Sequence, residues 1–528
     1  MTGKSAGGTA EKKRMAAPKS AARLPVAKQL ADLKARLLEV SDIASAASVL
    51  SWDQSTYMPP GGAAARARQM SRLSEIAHQK RTDPAIGRLI GKLEPYAAAL
   101  PPDADDARLV HVLRRDYERS IRVPADFIAR SSTAASASYN AWVAARPAND
   151  FATMRPHLEK ALDLSREYAG FFQGHAHIMD PLIGPDEGVT VAETRALFKK
   201  LRAALVPLVD AITAEGPADD SCLRKHYLEA PQLAFALRMA QDFGYDLKRG
   251  RLDKTAHPFM TLFARDDVRI TTRVREDDLS DALFSTLHET GHALYELGVS
   301  HDLSPPIDGG TSAGVHESQS RLWENLVARS HGFWEHAYTR LQAVFPDQLR
   351  RVPLDTFYRA INKVDRTLIR TDADEVTYNL HVMIRFDLEC ALLEGKLAIK
   401  DLPEAWNARY QSDLGVRAPD DRDGVLQDVH WYAGGLGGSF QSYTIGNILS
   451  AQFYDAALKA HPGIPAEMTS GRFDTLHGWL RTNVYRHGRK FGVDDLMRRA
   501  TGTPMRIEPY IGYLKTKYGA LYDLRNLR

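Results

Sequence analysis

From about Val26 to the end of the chain, apolar residues recur three and four apart over long stretches, the repeat of amphipathic α-helices. LEKALDLSREYAGFF (Leu158 to Phe172) and AETRALFKKLRAALVPLV (Ala192 to Val209) show it most cleanly. Clusters of Pro and Gly such as YMPPGG (Tyr57 to Gly62) and DPLIGPDEG (Asp180 to Gly188) interrupt the pattern. No fixed-period repeat and no long Ser/Gly/Pro linker divides it. The reading is therefore mainly α, a large single helical domain over residues 26–528. One segment departs from the repeat: DDVRITTRV (Asp266 to Val274) is β-branched and alternating, which predicts a strand. A lone strand cannot pair its own backbone, so a sheet of two or three strands is expected there. An edge of that sheet could hold an extended peptide by strand addition.

Charge and cysteine usage narrow the setting. Of the net charge of +3, residues 1–24 hold six Lys or Arg against one Glu, so the tail carries +5 and the remainder −2. A body so close to neutral argues against nucleic acid as a partner. The stretch 1–25 is rich in Ala, Gly, Ser and Lys without an apolar segment, and reads as a disordered basic tail rather than a secretory signal. No run of eighteen apolar residues exists to span a membrane. The two cysteines, Cys222 and Cys390, lie far apart with no CxxC partner, as in a reducing, cytoplasmic compartment.

Directly after the predicted strand comes FSTLHETGHALYELG (Phe284 to Gly298). Its HETGH places His288 and His292 four apart, on one face of a helix. Asp277, Asp278 or Ser280 could cap that helix, and Gly298 could end it. Two imidazoles so placed suit a tetrahedral Zn²⁺, with Glu289 beside the ion as base for a zinc-bound water. The site needs a third ligand. Tyr295 and Gly298 stand where a third-histidine pattern would need Gly and His, so a carboxylate is required. The predicted helix Ser312 to Ser330 offers Glu317 and Glu324, seven apart and on one face, while His316 points about 100° away from Glu317. On these grounds either glutamate would serve.

These motifs resemble those of the carboxypeptidase Taq family of zinc metallocarboxypeptidases. The likeness runs from about Ser48 to Tyr522 and takes in HETGH, HESQS (His316 to Ser320), DVRIT (Asp267 to Thr271), IRTDAD (Ile369 to Asp374) and GVLQDVHW (Gly424 to Trp431). LSWDQSTYMPPGG, YTIGN and RHGRKF add to it. The resemblance selects Glu317 as the third ligand. It implies a helical enzyme with a deep central groove beside the small sheet and a homodimer. It also implies one Zn²⁺ per subunit, for which Co²⁺ can substitute, and release of C-terminal amino acids from peptides with broad specificity. The chain departs from the family at Ser439 and Gln441, where a Tyr and a Pro are usual.

Recognition of a free C-terminus calls for an arginine, whose planar fork grips a carboxylate with two hydrogen bonds. Arg370 is the candidate, although Asp372 or Asp374 could instead neutralise it. His430 and Tyr443 are candidate donors to the reacting carbonyl. Arg269 reads as structural, paired with Asp267 on its own strand, and His381 and His487 read as core histidines. Competing readings are a zinc oligopeptidase or aminopeptidase with the same metal core, or a non-catalytic helical peptide-binding scaffold.

Overall fold

The helical repeat is realised along most of residues 20–524, the part of the chain that the computed structural model describes. Of the expected tail, residues 1–19 lie outside the described residues, and 20–25 fall within the first helix, Ser20–Thr56. The segments with the clearest periodicity become helices with side-chain caps. In Phe151–Gly170 the Asp150 carboxylate accepts from the Thr153 N–H, and Met154, Leu158, Ala161 and Leu162 are buried. In Val191–Ala214, Thr190 and Glu193 form a capping box, while Phe198, Leu201, Leu205, Leu208 and Ile212 make the inner stripe. Among the described residues no helix is long and apolar enough to cross a membrane.

The strand segment becomes the centre of a three-stranded sheet: β1 (Leu252–Lys254), β2 (Met260–Ala264) and β3 (Asp267–Thr272), in the order β1-β3-β2. β1 runs parallel to β3, and β2 runs antiparallel with a bulge near Leu262 and Ala264. Val268 and Ile270 are fully buried. The Thr272 hydroxyl bonds Ala282 O at 3.2 Å and Ser285 Oγ at 2.9 Å, fixing the sheet to the HETGH helix. Arg269 is held by both oxygens of Asp267, at 2.7 and 2.8 Å, between the rings of Trp52 and Phe263 at 4.5 and 4.8 Å. It joins the first helix to the sheet, the structural role read from the sequence.

Two large apolar clusters make up most of the core. One holds Phe284, Leu287, Leu294 and Tyr295 of the HETGH helix with Trp323, Phe333 and Trp334. The other holds Phe198, Tyr378, Phe386, Trp406 and Tyr432. Helix Phe440–Ala460 belongs to both, through Ile445 and Leu449 on one side and Phe440 and Ile448 on the other.

His477 packs into the first cluster against Trp323 and Tyr485, its ring so close to Gly244 that a Cβ there would lie 2.7 Å from Nδ1. Burial, with Arg481 nearby, pushes its pKa down to about 4. Between pH 6.5 and 4 the unfolded chain therefore takes up a proton that the folded chain refuses. Its contribution is complete above about pH 6.5 and is lost as pH falls, by at most about 3 kcal/mol. Urea unfolding at pH 7 and pH 4.5 should show a smaller acid-induced loss in His477→Phe than in the parent. An equal loss in both would assign the acid sensitivity to other groups.

Candidate metal centre and peptide groove

Helix Leu279–Leu297 starts at Asp278, whose carboxylate accepts from the Ser280 N–H, and ends at Gly298. Its buried face, including Leu283, Leu287 and Leu294, fixes its rotation. His288, Glu289 and His292 then line a groove of about 1080 Å³, larger than the usual 300–1,000 Å³ of small-ligand pockets. Gly291, the residue just before His292 in HETGH, touches the next helix: a Cβ there would lie 2.5 Å from Gln319 O and 2.6 Å from Ser320 Cα. That approach brings helix Ala313–Arg321 against the histidines. Behind it, Gly446 makes room for Glu317, since a Cβ at 446 would stand 2.6 Å from Glu317 Cγ.

His288, His292 and Glu317 are brought together. Among the described residues they form the one group of three His, Cys, Asp or Glu donors lying within 4.8 Å of one another. Glu317 Oε2 stands 3.7 Å from His288 Nε2 and 3.5 Å from His292 Nε2. Donors bound at about 2.0–2.1 Å in a tetrahedron stand about 3.4 Å apart, so this set fits a small divalent ion. Two imidazoles and a carboxylate also match the donor preference of zinc. Glu317 Oε1 is turned away to accept from Arg321 Nε at 2.7 Å. Burial opposes the Glu317 charge, but Arg321 and the two histidines outweigh it and hold the carboxyl well below the usual range. Glu289 is 6% exposed, and burial, against the opposing effect of His288, pushes its carboxyl up to about 7.

The other candidate ligands take outer positions. The expected continuous helix from Ser312 to Ser330 changes register: after Arg321 the chain makes a π-helical stretch, Leu322–Val327. Glu324, on that stretch, accepts from His288 Nδ1 at 2.9 Å. His316 Nε2 donates to Glu296 Oε1 at 2.9 Å, which leaves its Nδ1 to accept from His292 Nδ1 at 2.6 Å. This network would place the proton of both candidate-ligand imidazoles on Nδ1 and turn Nε2 toward the centre. His316→Phe removes the acceptor that orients His292, and metal affinity should fall about 10–100-fold in chelator competition. Unchanged affinity would show that His292 is oriented by packing alone.

Arg370, His430 and Tyr443 line the same groove. Arg370 is not neutralised by Asp372 or Asp374, as the sequence allowed, but by Asp428, 58 residues along the chain, with Nε to Oδ2 at 2.5 Å. Its Nη1 donates to Tyr378 Oη at 2.8 Å. Asp428 also accepts from the fully buried Arg385 at 3.1 Å and from His430 Nδ1 at 2.5 Å. Two guanidiniums thus share one carboxylate, which Arg370, His430 and Arg385 hold well below the usual range against the effect of burial. His430 Nε2 bonds Tyr443 Oη at 2.9 Å. Ser439 lines the groove, whereas Gln441 is fully buried and donates to Gly438 O at 2.6 Å, closing the turn before its helix. His381 is fully buried beside Tyr410, as a core histidine should be.

Arg321 and His257 are among the groove residues that the sequence reading does not single out. Arg321 lies one turn after Glu317 and was legible as an i,i+4 pair. His257 precedes β2 and lies near His430 and Arg370; burial, then those two groups, lower its pKa. Its only sequence signal is a histidine-proline pair at the entrance to a short strand. The segment His257–Met260 leads the β2 edge into the groove.

A family model described as Carboxypeptidase Taq (M32) metallopeptidase matches residues 32–518. Thermostable carboxypeptidase 1 of Thermus thermophilus is 40% identical over 92% of this chain and 97% of its own length. Carboxypeptidase 1 of Bacillus subtilis is 36% identical over 92% and 97%. The crystal structure of an M32 carboxypeptidase from Deinococcus radiodurans R1 superimposes with a TM-score of 0.91 at 51% identity, covering 94% of this chain and all of that one.

Proposed function

The chain belongs to the carboxypeptidase Taq (M32) metallopeptidase family and is a metallocarboxypeptidase, a peptide hydrolase; from that premise we propose how its own residues do the work. His288, His292 and Glu317 hold one Zn²⁺ per subunit, for which Co²⁺ can substitute. The support is the convergence of their three donor atoms on one point in the groove wall. When bound, the ion polarises a carbonyl oxygen and makes water more acidic. Glu289 takes the proton from the attacking water on a carboxylate oxygen and returns it to the departing amine nitrogen.

Arg370 receives the α-carboxylate of the substrate. Asp428 occupies its Nε side, Tyr378 takes one Nη1 proton, and two N–H groups are left for an incoming anion. Arg385 supplies a second positive charge against the single Asp428, so the local balance favours a carboxylate. Tyr443, whose hydroxyl rests against His430 Nε2, turns its one proton to the oxyanion at the scissile carbon. The catalytic unit spans residues 26–528. Broad side-chain specificity and a homodimer follow the family resemblance. A cytoplasmic location is supported by Cys222 and Cys390, both buried and free.

One peptide with a free C-terminus and the same peptide amidated, digested beside a metal analysis of the purified protein, test the reading. Stepwise loss from the free end alone, with close to one zinc per chain, is expected. Equal cleavage of both peptides would favour the oligopeptidase alternative, and cleavage by metal-free protein would end the proposal.

A further inference from the structure

Glu187 stands 3% exposed in the loop after the short helix Asp180–Ile183, and the chemistry above gives it no task. Its Oε2 accepts from the Gly314 N–H at 3.2 Å, in the first turn of the helix that carries Glu317. The hydroxyls of Ser312 and Ser442 flank the same carboxyl. Its Oε1 has no hydrogen-bond partner among the described residues and lies where a side chain at 314 would begin, 2.2 Å from the Cβ position. Gly314 is thus a cradle for a buried carboxyl, which is costly to bury with so few donors. The helix does not need it as a cap, because the Ser312 hydroxyl already accepts from the Val315 N–H.

The adjacent residue moors the loop from outside. Asp186 accepts from Arg115 and from Arg489, each at 2.5 Å, and Arg489 also holds Asp116 at 2.5 Å. Arg115 and Asp116 belong to helix Asp105–Ser120. Glu187 therefore meets the Glu317 helix with its backbone anchored. It fills the seam between that helix and Phe440–Ala460, the same pair of helices that closes on Glu317 one turn later through Gly446.

We propose that Glu187 is a positioning residue: it seats helix Ala313–Arg321 and thereby sets where Glu317 presents its carboxylate to His288 and His292. This rests on Glu317 as a metal ligand. Displacing a reacting group by about 1 Å can cost 10²-fold in rate, so a seating defect is readable in catalysis without any contact to substrate. Glu187→Ala removes the acceptor, while Glu187→Gln keeps an oxygen for the Gly314 N–H. The readouts are zinc affinity by chelator competition at 25 °C, kcat and KM on one peptide, and the thermal midpoint. Expected for Glu187→Ala is a loss of about ten-fold or more in both zinc affinity and kcat, with KM within about three-fold. Glu187→Gln should restore both to within about three-fold of the parent. If Glu187→Ala does not fold, Glu187→Asp, which keeps the carboxyl but withdraws its oxygens from Gly314, is read in the same way. A lowered thermal midpoint with parental zinc affinity and kcat would overturn the proposal, as would equal losses in the Gln and Ala variants. A parent chain that binds no zinc would instead overturn the metal reading itself.

Discussion

Glu289→Gln is expected to bind metal as the parent does and to hydrolyse peptides about 10²–10⁴-fold more slowly, through kcat rather than KM. The two halves of that outcome have separate causes. The proposed donor atoms belong to His288, His292 and Glu317, and their outer partners are Glu324, His316 and Arg321, so replacing Glu289 leaves the whole set intact. The substituted amide has the same shape and fills the same buried space, which guards against a packing defect in a site only 6% exposed. It cannot accept a proton from water and pass it to a leaving amine. Metal content and steady-state kinetics on the same preparation decide the matter. A variant with normal metal and kcat within a few-fold of the parent would remove Glu289 as the base. A variant that had lost its metal would instead show that this glutamate holds the centre together.

How much of this was legible in the sequence depended on the range of each interaction. HETGH was readable because a helix converts a spacing of four into one face, and Asp278 and Gly298 delimit the helix locally. β3 was readable from its alternation, and its partners β1 and β2 were not, being only three and five residues long. The choice between Glu317 and Glu324 could not be made from a straight helix, because the register changes at Leu322. That change gives the two carboxylates different duties, one at the Nε2 atoms of both histidines and the other at Nδ1 of His288. The third dimension also decided the neighbour of Arg370. Local spacing pointed to Asp372 and Asp374, but Asp374 is spent on the backbone N–H groups of Asp365, Val376 and Thr377. Asp428, brought in by a distant loop, holds the guanidinium instead. His257 and Glu187 meet residues more than a hundred positions away, which no local period records.

Arg370→Ala should lower kcat/KM by about 10²–10³-fold for a peptide with a free C-terminus and by no more than a few-fold for its amide. The parent should favour the free acid strongly, so the variant is expected to lose selectivity, with little loss of fold. The fold survives because Asp428 would not be left bare: Arg385 at 3.1 Å and His430 at 2.5 Å still pair with it. The charge balance falls from an excess of one positive charge to none, as two guanidiniums per carboxylate become one, and the pull on an incoming anion disappears. Arg370→Lys should recover little, since an ammonium cannot reach Asp428 and Tyr378 while offering two parallel N–H groups to a carboxylate. His430 and Tyr443 remain in place in both variants, so the chemical step on a bound peptide is preserved and the loss belongs to recognition. Equal losses for the free and amidated peptides would mean that Arg370 supports Asp428 and the groove wall, and that some other cation reads the C-terminus. Arg273, which lines the groove and is paired with Asp281 at 2.8 Å, would be the next residue to replace.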